Sequence, residues 1–180
     1  MALVGVVLAL VWRLEVQPFR KGKRADGRQR WALAAIFAAA LFLIWFLPYS
    51  DRPALLTFAD AAALRYAGLV LHTSGSALGL VALRTLGKQY SAYVTVQEDH
   101  QPVRTGIYSV IRHPIYLRAI LVSVGLPLVF RSWLGLPLVV LATSWLVLRI
   151  RQEEKLLAEH FGAEFEAYRR RTWRLLPYVY

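Results

Sequence analysis

The sequence predicts an all-α integral membrane protein with about five transmembrane helices, a tight C-terminal helical hairpin and a cytosolic C-terminal region. Two observations indicate a membrane protein: 57% of the 180 residues are hydrophobic, and the mean hydropathy is +0.42. Soluble domains are usually nearer about 45–50% apolar. A third observation is the net charge of +11. The basic residues lie between the apolar stretches, as they do in cytoplasmic loops of membrane proteins. We expect no nucleic-acid partner, because no nucleic-acid motif accompanies these cations.

The first two predicted spans lie on either side of a strongly basic loop. Ala2 to Trp12 is short for a span, since about 20 residues are needed to cross the bilayer. Either it extends to Val16 or the bilayer thins around it. The following loop, residues 13–30, carries seven cations against two carboxylates, a net charge of +5. Trp31 to Tyr49 is a clear second span, with aromatic residues at both ends.

The third predicted span covers about Ala61 to Leu83 and is richer in small and polar residues. Its glycines suit close packing against another helix; they are Gly68, Gly75 and Gly79. His72 falls near the middle, where ionisable groups are costly and often functional. The alternative is a neutral histidine that is hydrogen-bonded to a neighbouring helix, and both interpretations stay open.

The second half of the chain predicts a polar segment, a hairpin and a charged helix. The segment from Arg84 to Arg112 is too long for an ordinary connection, and such loops are commonly functional. Two apolar runs follow, Ile115 to Phe130 and Trp133 to Leu148, and only Arg131 and Ser132 separate them. We therefore predict a tight antiparallel hairpin. Arg149 to Tyr168 is predicted as a charged helix with one apolar face.

Charge predicts the topology. The basic loop at residues 13–30 should stay in the cytoplasm. Counting five spans from there places the N-terminus outside and both residues 84–112 and the C-terminus inside. We expect one domain, residues 1–180, with a helical membrane part at 1–86 and a loop, hairpin and C-terminal helix at 87–180.

The predicted hairpin makes two polar stretches spatial neighbours. His113 and Pro114 enter it, and Arg149 leaves it. Arg149 and Glu153 are four residues apart, so they share one helix face. Such a pair is usually a weak surface ion pair, but its position beside the His-Pro turn at the membrane exit favours a functional site. Arginine can hold a carboxylate or phosphate with two hydrogen bonds, and glutamate can bind an amine.

Two motifs resemble the signature of one family of integral membrane enzymes. The first is Arg112-His113-Pro114-Ile115-Tyr116, preceded by Gly106-Ile107-Tyr108. The second is Arg149…Glu153-Glu154…Leu157…His160-Phe161-Gly162…Tyr168…Arg171…Leu176-Pro177. Together they resemble the isoprenylcysteine carboxyl methyltransferase family and the related membrane phospholipid methyltransferases. The resemblance runs from about Val96 to the C-terminus.

The resemblance implies a methyltransferase that uses S-adenosyl-L-methionine, bound by the cytosolic C-terminal part without a Rossmann fold. The residues that match cofactor-binding positions are Gln97, His100, Gln101, Pro102, Val103, Tyr108, His113, Pro114, Ile115, Tyr116 and Glu153. Arg149 matches the residue that contacts the substrate near its reacting carboxylate, and with Glu153 it forms the expected catalytic pair. The expected partners are membrane lipids and a lipophilic acceptor, either isoprenylcysteine carboxylate-like or another lipid or small molecule.

Two departures from the family pattern bear on the acceptor. Arg118 stands where the family usually has a small residue, and Pro102 stands where leucine is usual. An anionic acceptor needs no strong base, whereas an amine or phenol would make His100 or His113 a candidate base. No metal is expected, and the chain has no cysteine for thiolate chemistry. The alternatives are a sterol-reductase-like membrane enzyme that uses NADPH and a non-catalytic lipid-binding membrane protein.

Overall fold

The computed structural model describes residues 46–47, 57–58, 61–87 and 103–180. Its elements in chain order are α1 (Ala62–Leu86), a 3-10 turn (Gly106–Ser109), α2 (Pro114–Val129), α3 (Gly135–Phe161) and α4 (Ala163–Arg171). Within these ranges the regular structure is helical, with two isolated bridges and no strand, which confirms the all-α prediction. The predicted spans at 2–12 and 31–49 lie outside the described residues, apart from Phe46 and Leu47, which are helical.

The helix predicted for the third span is confirmed as α1, with its end three residues later than expected. Within the described ranges, α1 is the one helix that is both long and apolar enough to cross a membrane by length and composition. The first run of the predicted hairpin is confirmed as α2, a shorter apolar helix of 16 residues. The total of five spans stays a prediction, because the first two fall outside the described residues.

Glycines bring α1 and α2 into backbone contact. A Cβ atom on Gly68 would stand 2.7 Å from the carbonyl oxygen of Gly125, and one on Gly125 would stand 2.6 Å from the carbonyl oxygen of Gly68. A Cβ atom on Gly75 would stand 2.9 Å from the Cβ atom of Leu121 on α2. Small residues allow this approach in a membrane, where helix association depends on van der Waals packing. The predicted role of these glycines is confirmed.

The side chain of Arg118 on α2 fills the space beside Gly79 on α1. An added Cβ on Gly79 would overlap the Cδ atom of Arg118 and lie 2.5 Å from its Nε atom. The bulky residue at this position of α2 is therefore accommodated by the absence of a side chain on the facing helix. Tyr116, two residues earlier, contacts α3 instead, so the two side chains leave α2 in different directions.

The predicted two-residue connection of the hairpin is wrong, because residues 130–134 link α2 to α3. Ser132 is buried, donates from its backbone N–H to the carbonyl of Pro127 at 2.9 Å, and accepts from the backbone N–H of Gly135 at 3.2 Å. Trp133 and Leu134 are apolar, which suggested helix, yet they lie in this turn. Pro137 fits the first turn of α3, since the N–H groups there need no intrahelical acceptor.

The predicted boundary at Arg149 is also wrong, because α3 runs without a break from Gly135 to Phe161. The exit from a membrane changes the side chains but imposes no change on a helical backbone. The break comes at Gly162, which has a φ of 51° and ends α3. Glycine adopts this conformation at little cost. The charged helix predicted at 149–168 is therefore the second half of α3 followed by α4.

The C-terminal segment returns to the start of α2. Ile111 and Trp173 form a parallel bridge, in which Arg112 donates its N–H to the carbonyl of Trp173 at 2.8 Å and Trp173 donates to the carbonyl of Val110 at 2.9 Å. A buried apolar cluster lies beneath it and consists of Ile111, Leu117, Ile150 and Leu175. Burying each such side chain contributes about 1.5–3 kcal/mol. Three distant parts of the chain are thereby held together.

Candidate active site

The two polar stretches meet at the hydroxyl of Tyr116. This residue lies in the first turn of α2, where Pro114 occupies the first helical position. The Tyr116 hydroxyl donates to Glu153 Oε2 at 2.6 Å and accepts from Arg149 Nε at 2.9 Å. We call these three side chains the Tyr116 bridge. The predicted pairing of the hairpin entrance with its exit is present in the structure.

The Tyr116 bridge holds a cation and an anion on one face of α3. Arg149 is buried, with 8% of its surface exposed, and its guanidinium carbon lies 5.3 Å from the centre of the Trp145 ring. Glu153 is half-buried one turn further along the helix. A guanidinium and a carboxylate fixed at this spacing can bind a ligand that itself carries an anionic and a cationic group.

Glu154 is the centre of a second, more deeply buried cluster, which the sequence did not predict. Its Oε1 accepts from Arg112 Nε at 3.0 Å and lies 3.2 Å from His113 Nε2. Its Oε2 accepts from Arg174 Nε at 3.0 Å and from Arg174 Nη2 at 2.6 Å. We call these four residues the Glu154 cluster. It joins the start of α2, the middle of α3 and the C-terminal segment.

The charge state of Glu154 follows from these contacts. Burial by itself raises the pKa of this carboxyl group, but the hydrogen bonds from His113, Arg174 and Arg112 outweigh it and hold the pKa well below its usual range. The same contact to Glu154 raises the pKa of Arg174. Glu154 is therefore ionised at neutral pH and pairs with Arg112 and Arg174, and Arg112 extends the cluster to the backbone carbonyls of Arg169 and Thr172.

The sequence analysis did not select Glu154, because the neighbouring Glu153 is the glutamate that lies four residues after Arg149. Adjacent residues on a helix are rotated by about 100°, so Glu153 and Glu154 face different partners. Glu153 contacts the Tyr116 bridge, while Glu154 contacts Arg112 and Arg174, which are 42 and 20 residues away in sequence. The only signal in the sequence was the presence of two consecutive glutamates. The contacts of the second one, Glu154, with Arg112 and Arg174 form only in the folded chain.

The 3-10 turn before α2 supplies another part of the site. Tyr108 is buried in it, and its carbonyl accepts from the hydroxyl of Tyr168 on α4 at 2.7 Å. Burial raises the pKa of Tyr168 to about 12, although Arg112 and Arg104 act in the opposite direction. Tyr168 is therefore a neutral donor at physiological pH, and it ties α4 to this turn.

The remaining predicted site residues lie around these two clusters or outside the described ranges. Pro114 is fully buried, while Val103 and Ile115 are half-buried on either side of the 3-10 turn. The Nε2 of His113 is engaged by Glu154, so a contact from this imidazole to a cofactor would come from its other atoms. Four predicted cofactor residues lie outside the described residues: Gln97, His100, Gln101 and Pro102.

Comparisons with known proteins agree with the motifs. The model of the isoprenylcysteine carboxyl methyltransferase (ICMT) family matches residues 68–159, just over half of the chain. A protein-S-isoprenylcysteine O-methyltransferase from Saccharomyces cerevisiae is 33% identical over 116 residues, which cover 62% of this chain and 48% of that protein. One from Dictyostelium discoideum is 25% identical over 146 residues, which cover 77% of this chain and 58% of that protein.

A solved structure is also similar to this chain. It is described as the eukaryotic intramembrane Ras methyltransferase ICMT, and it superposes with a TM-score of 0.59 at 25% sequence identity. The match covers 86% of this chain and 54% of the solved chain. This chain thus spans about half the length of the relatives it matches. The family model covers α1 from Gly68 onward, α2, and α3 up to Glu159, so it includes the whole Tyr116 bridge but not Arg174 of the Glu154 cluster. The chain belongs to the isoprenylcysteine carboxyl methyltransferase family.

Proposed function

We propose that this chain is an integral membrane S-adenosyl-L-methionine-dependent methyltransferase, which methylates a lipophilic acceptor at the cytoplasmic membrane face. The acceptor class is an isoprenylcysteine carboxylate or a similar lipid-linked anion. The single observation that carries the proposal is the Tyr116 bridge, where Arg149 and Glu153 meet one hydroxyl at the entrance of α2. Family membership supports a transferase over the reductase alternative.

The residues of the site fit the proposed cofactor by their chemistry. Its amino-acid end carries an amine and a carboxylate, and Glu153 offers a half-buried carboxylate to the amine. The half-buried Val103 and Ile115 offer apolar surface to the adenine on either side of the 3-10 turn. When bound, S-adenosyl-L-methionine supplies a methyl group on a positively charged sulfur, which a nucleophile can accept.

In this proposal Arg149 binds the acceptor carboxylate. Its guanidinium can hold two oxygens at once, and its burial strengthens that interaction by excluding water. Tyr116 donates to Glu153 and accepts from Arg149, so it sets the distance between the cofactor and acceptor sites. A carboxylate acceptor is already a nucleophile and needs no base. The residues therefore act by orientation and desolvation rather than by a covalent intermediate.

The orientation of the site in the membrane is part of the proposal. Two contacts support a common outer face: Thr57 bridges to Ser132, and Phe58 donates its N–H to the carbonyl of Arg131 at 2.9 Å. At the opposite ends of α1 and α2, Gly106 packs against Thr85. A Cβ atom added to Gly106 would lie 3.3 Å from the hydroxyl oxygen of Thr85. The site and residues 13–30, whose charge favours the cytoplasm, are on the same side in the predicted topology.

The test is transfer of a labelled methyl group from S-adenosyl-L-methionine by the full chain in lipid nanodiscs. The acceptors are an isoprenylcysteine analogue and a total lipid extract, with the labelled product identified by mass spectrometry. Glu153→Gln should lose cofactor binding, whereas Arg149→Lys should keep binding and lose turnover. Arg151→Lys is the matched control, because Arg151 is exposed on the same helix and, two residues from both Arg149 and Glu153, lies on the opposite helix face. Binding of NADPH in place of S-adenosyl-L-methionine would overturn the proposal.

A further inference from the structure

Residues 173–180 form an ordered turn in which Leu175 packs into the buried apolar cluster, whereas Leu176, Tyr178 and Val179 are exposed. We call residues 173–180 the C-terminal tip. Val179 donates its N–H to the carbonyl of Leu176 at 3.1 Å, and Leu175 donates to the carbonyl of Tyr180 at 2.7 Å. Tyr178 is 88% exposed and Val179 is 76% exposed. Single exposed apolar residues are ordinary, but a contiguous apolar turn indicates an interaction surface.

The fold carries this tip back toward the predicted membrane surface. Beyond Leu148, α3 leaves the predicted membrane, and Gly162 ends it. The segment that follows α4 lies again at the start of α2, where Trp173 pairs with Ile111. The return is fixed where Arg174 reaches Glu154. Glu154 is six residues beyond Leu148, or about 9 Å along the helix. The headgroup layer is about 5–8 Å thick on each side of the hydrocarbon, so the tip lies close to it.

Charge beside the tip complements an anionic surface. Arg169, Arg170 and Arg171 are consecutive and exposed at the end of α4. Arg169 is partly balanced by Glu166, at 3.2 Å. Basic residues next to aromatic rings are typical of segments at the membrane interface, where the rings lie among the headgroups and the cations meet anionic lipids.

The aromatic side chains of the tip pack against neighbouring side chains of the tip. The rings of Trp173 and Tyr178 lie 5.3 Å apart, and the guanidinium of Arg174 lies 4.8 Å from the centre of the Tyr180 ring. Trp173 is also paired by its backbone to Ile111, three residues before α2 begins. The tip is therefore attached to the end of a membrane helix and cannot move far from the membrane surface.

We propose that the C-terminal tip docks on the anionic headgroup region of the cytoplasmic leaflet. Leu176, Tyr178 and Val179 enter the interface, and Arg170 and Arg171 contact the anionic headgroups. Because the tip is joined to Glu154 through Arg174, docking also steadies the segment that closes the Glu154 cluster. The proposal rests on the membrane orientation proposed above but not on methyl transfer, and its test uses no activity measurement.

The test takes advantage of a chain that contains no cysteine. The Val179→Cys variant is labelled with a polarity-sensitive fluorophore and reconstituted in nanodiscs of phosphatidylcholine, with or without phosphatidylserine. The expected result is a blue shift and quenching by nitroxide lipids that are stronger with phosphatidylserine and weaker at high salt. Arg170→Gln and Arg171→Gln should each lower the ratio of docked to undocked tip by about fivefold.

A second label position separates docking from general proximity to the bilayer. Glu159→Cys, on the exposed end of α3, should stay accessible to aqueous iodide and insensitive to the lipid composition. The proposal is overturned if the label at 179 remains equally accessible to iodide in both nanodiscs. It is also overturned if that label is protected in detergent without lipid, since another part of the protein or a second copy would then cover the tip.

Discussion

Glu154→Gln tests the energetic role of the buried cluster most directly. The substitution keeps the shape of the side chain but removes the charge that balances Arg112 and Arg174. The side chain of Glu154 is 6% exposed, that of Arg112 is 8% exposed and that of Arg174 is 24% exposed. Removing one partner of a buried pair costs about 3–5 kcal/mol, and the partial exposure of Arg174 places the expected loss near the lower end.

The assay is thermal unfolding in detergent, monitored through tryptophan fluorescence. A loss of this size corresponds to a fall of roughly 6–12 °C for a chain of this length, at about 2–4 °C per kcal/mol. The pH dependence has a defined sign. Because the folded pKa of Glu154 lies below its ordinary value of 4.5, its stabilisation is complete above pH 4.5 and is lost as the pH falls through the folded pKa. The difference between the proteins should therefore shrink below pH 4.5.

Glu159→Gln is the matched control on the same helix. Glu159 is exposed, and its contact with Lys155 is long, at 3.9 Å, so its removal should change stability by less than about 0.5 kcal/mol. The reasoning is refuted if the Glu154→Gln and Glu159→Gln variants have the same melting temperature. It is equally refuted if the deficit of Glu154→Gln persists unchanged in acid, because the loss would then come from packing rather than from the charge.

Three further substitutions test the packing of α1, the end of α3 and the Tyr116 bridge. Gly68→Ala places a Cβ atom 2.7 Å from a carbonyl oxygen of α2 and should cost about 1–3 kcal/mol in thermal unfolding, whereas Ala67→Leu on the exposed side should cost little. Gly162→Ala meets no neighbour within 4 Å, so its expected cost of about 1–3 kcal/mol comes only from the backbone conformation; an unchanged melting temperature would contradict this. Tyr116→Phe removes both hydrogen bonds of the bridge and should weaken cofactor binding about tenfold, measured by calorimetry. Tyr66→Phe, on the exposed face of α1, is the control and should leave that affinity unchanged.

The helices that could be predicted were those with continuous local signals. The apolar run and small residues of α1 predicted both its position and its close contact with another helix, and the structure shows that contact at Gly68 and Gly75. The hairpin turn was predicted too short because Trp133 and Leu134 are apolar, and apolarity does not distinguish a buried turn from a helix. The boundary at Arg149 was wrong because a change of side-chain polarity does not stop a helix, whereas Gly162 does.

The candidate site divides in the same way. The spacing of Arg149 and Glu153 is a local property of one helix, and together with the motif around Tyr116 it was visible in the sequence. The partners of Glu154 come from two separate segments, and no local pattern relates Arg112 to Arg174. Such a pairing depends on which chain segments the fold brings together, and a single sequence does not contain that information.

The sequence by itself determined that the chain is helical and apolar, which residues share the face of α3 that carries Arg149 and Glu153, and which family motifs are present. Those properties follow from composition and from spacing along one backbone. The tertiary structure alone decided that Tyr116 joins Arg149 to Glu153, that Glu154 closes a buried ionic cluster, and that the C-terminal segment returns to the start of α2. Each of these depends on contacts between residues far apart in the chain, which the packing of the helices brings within hydrogen-bonding distance.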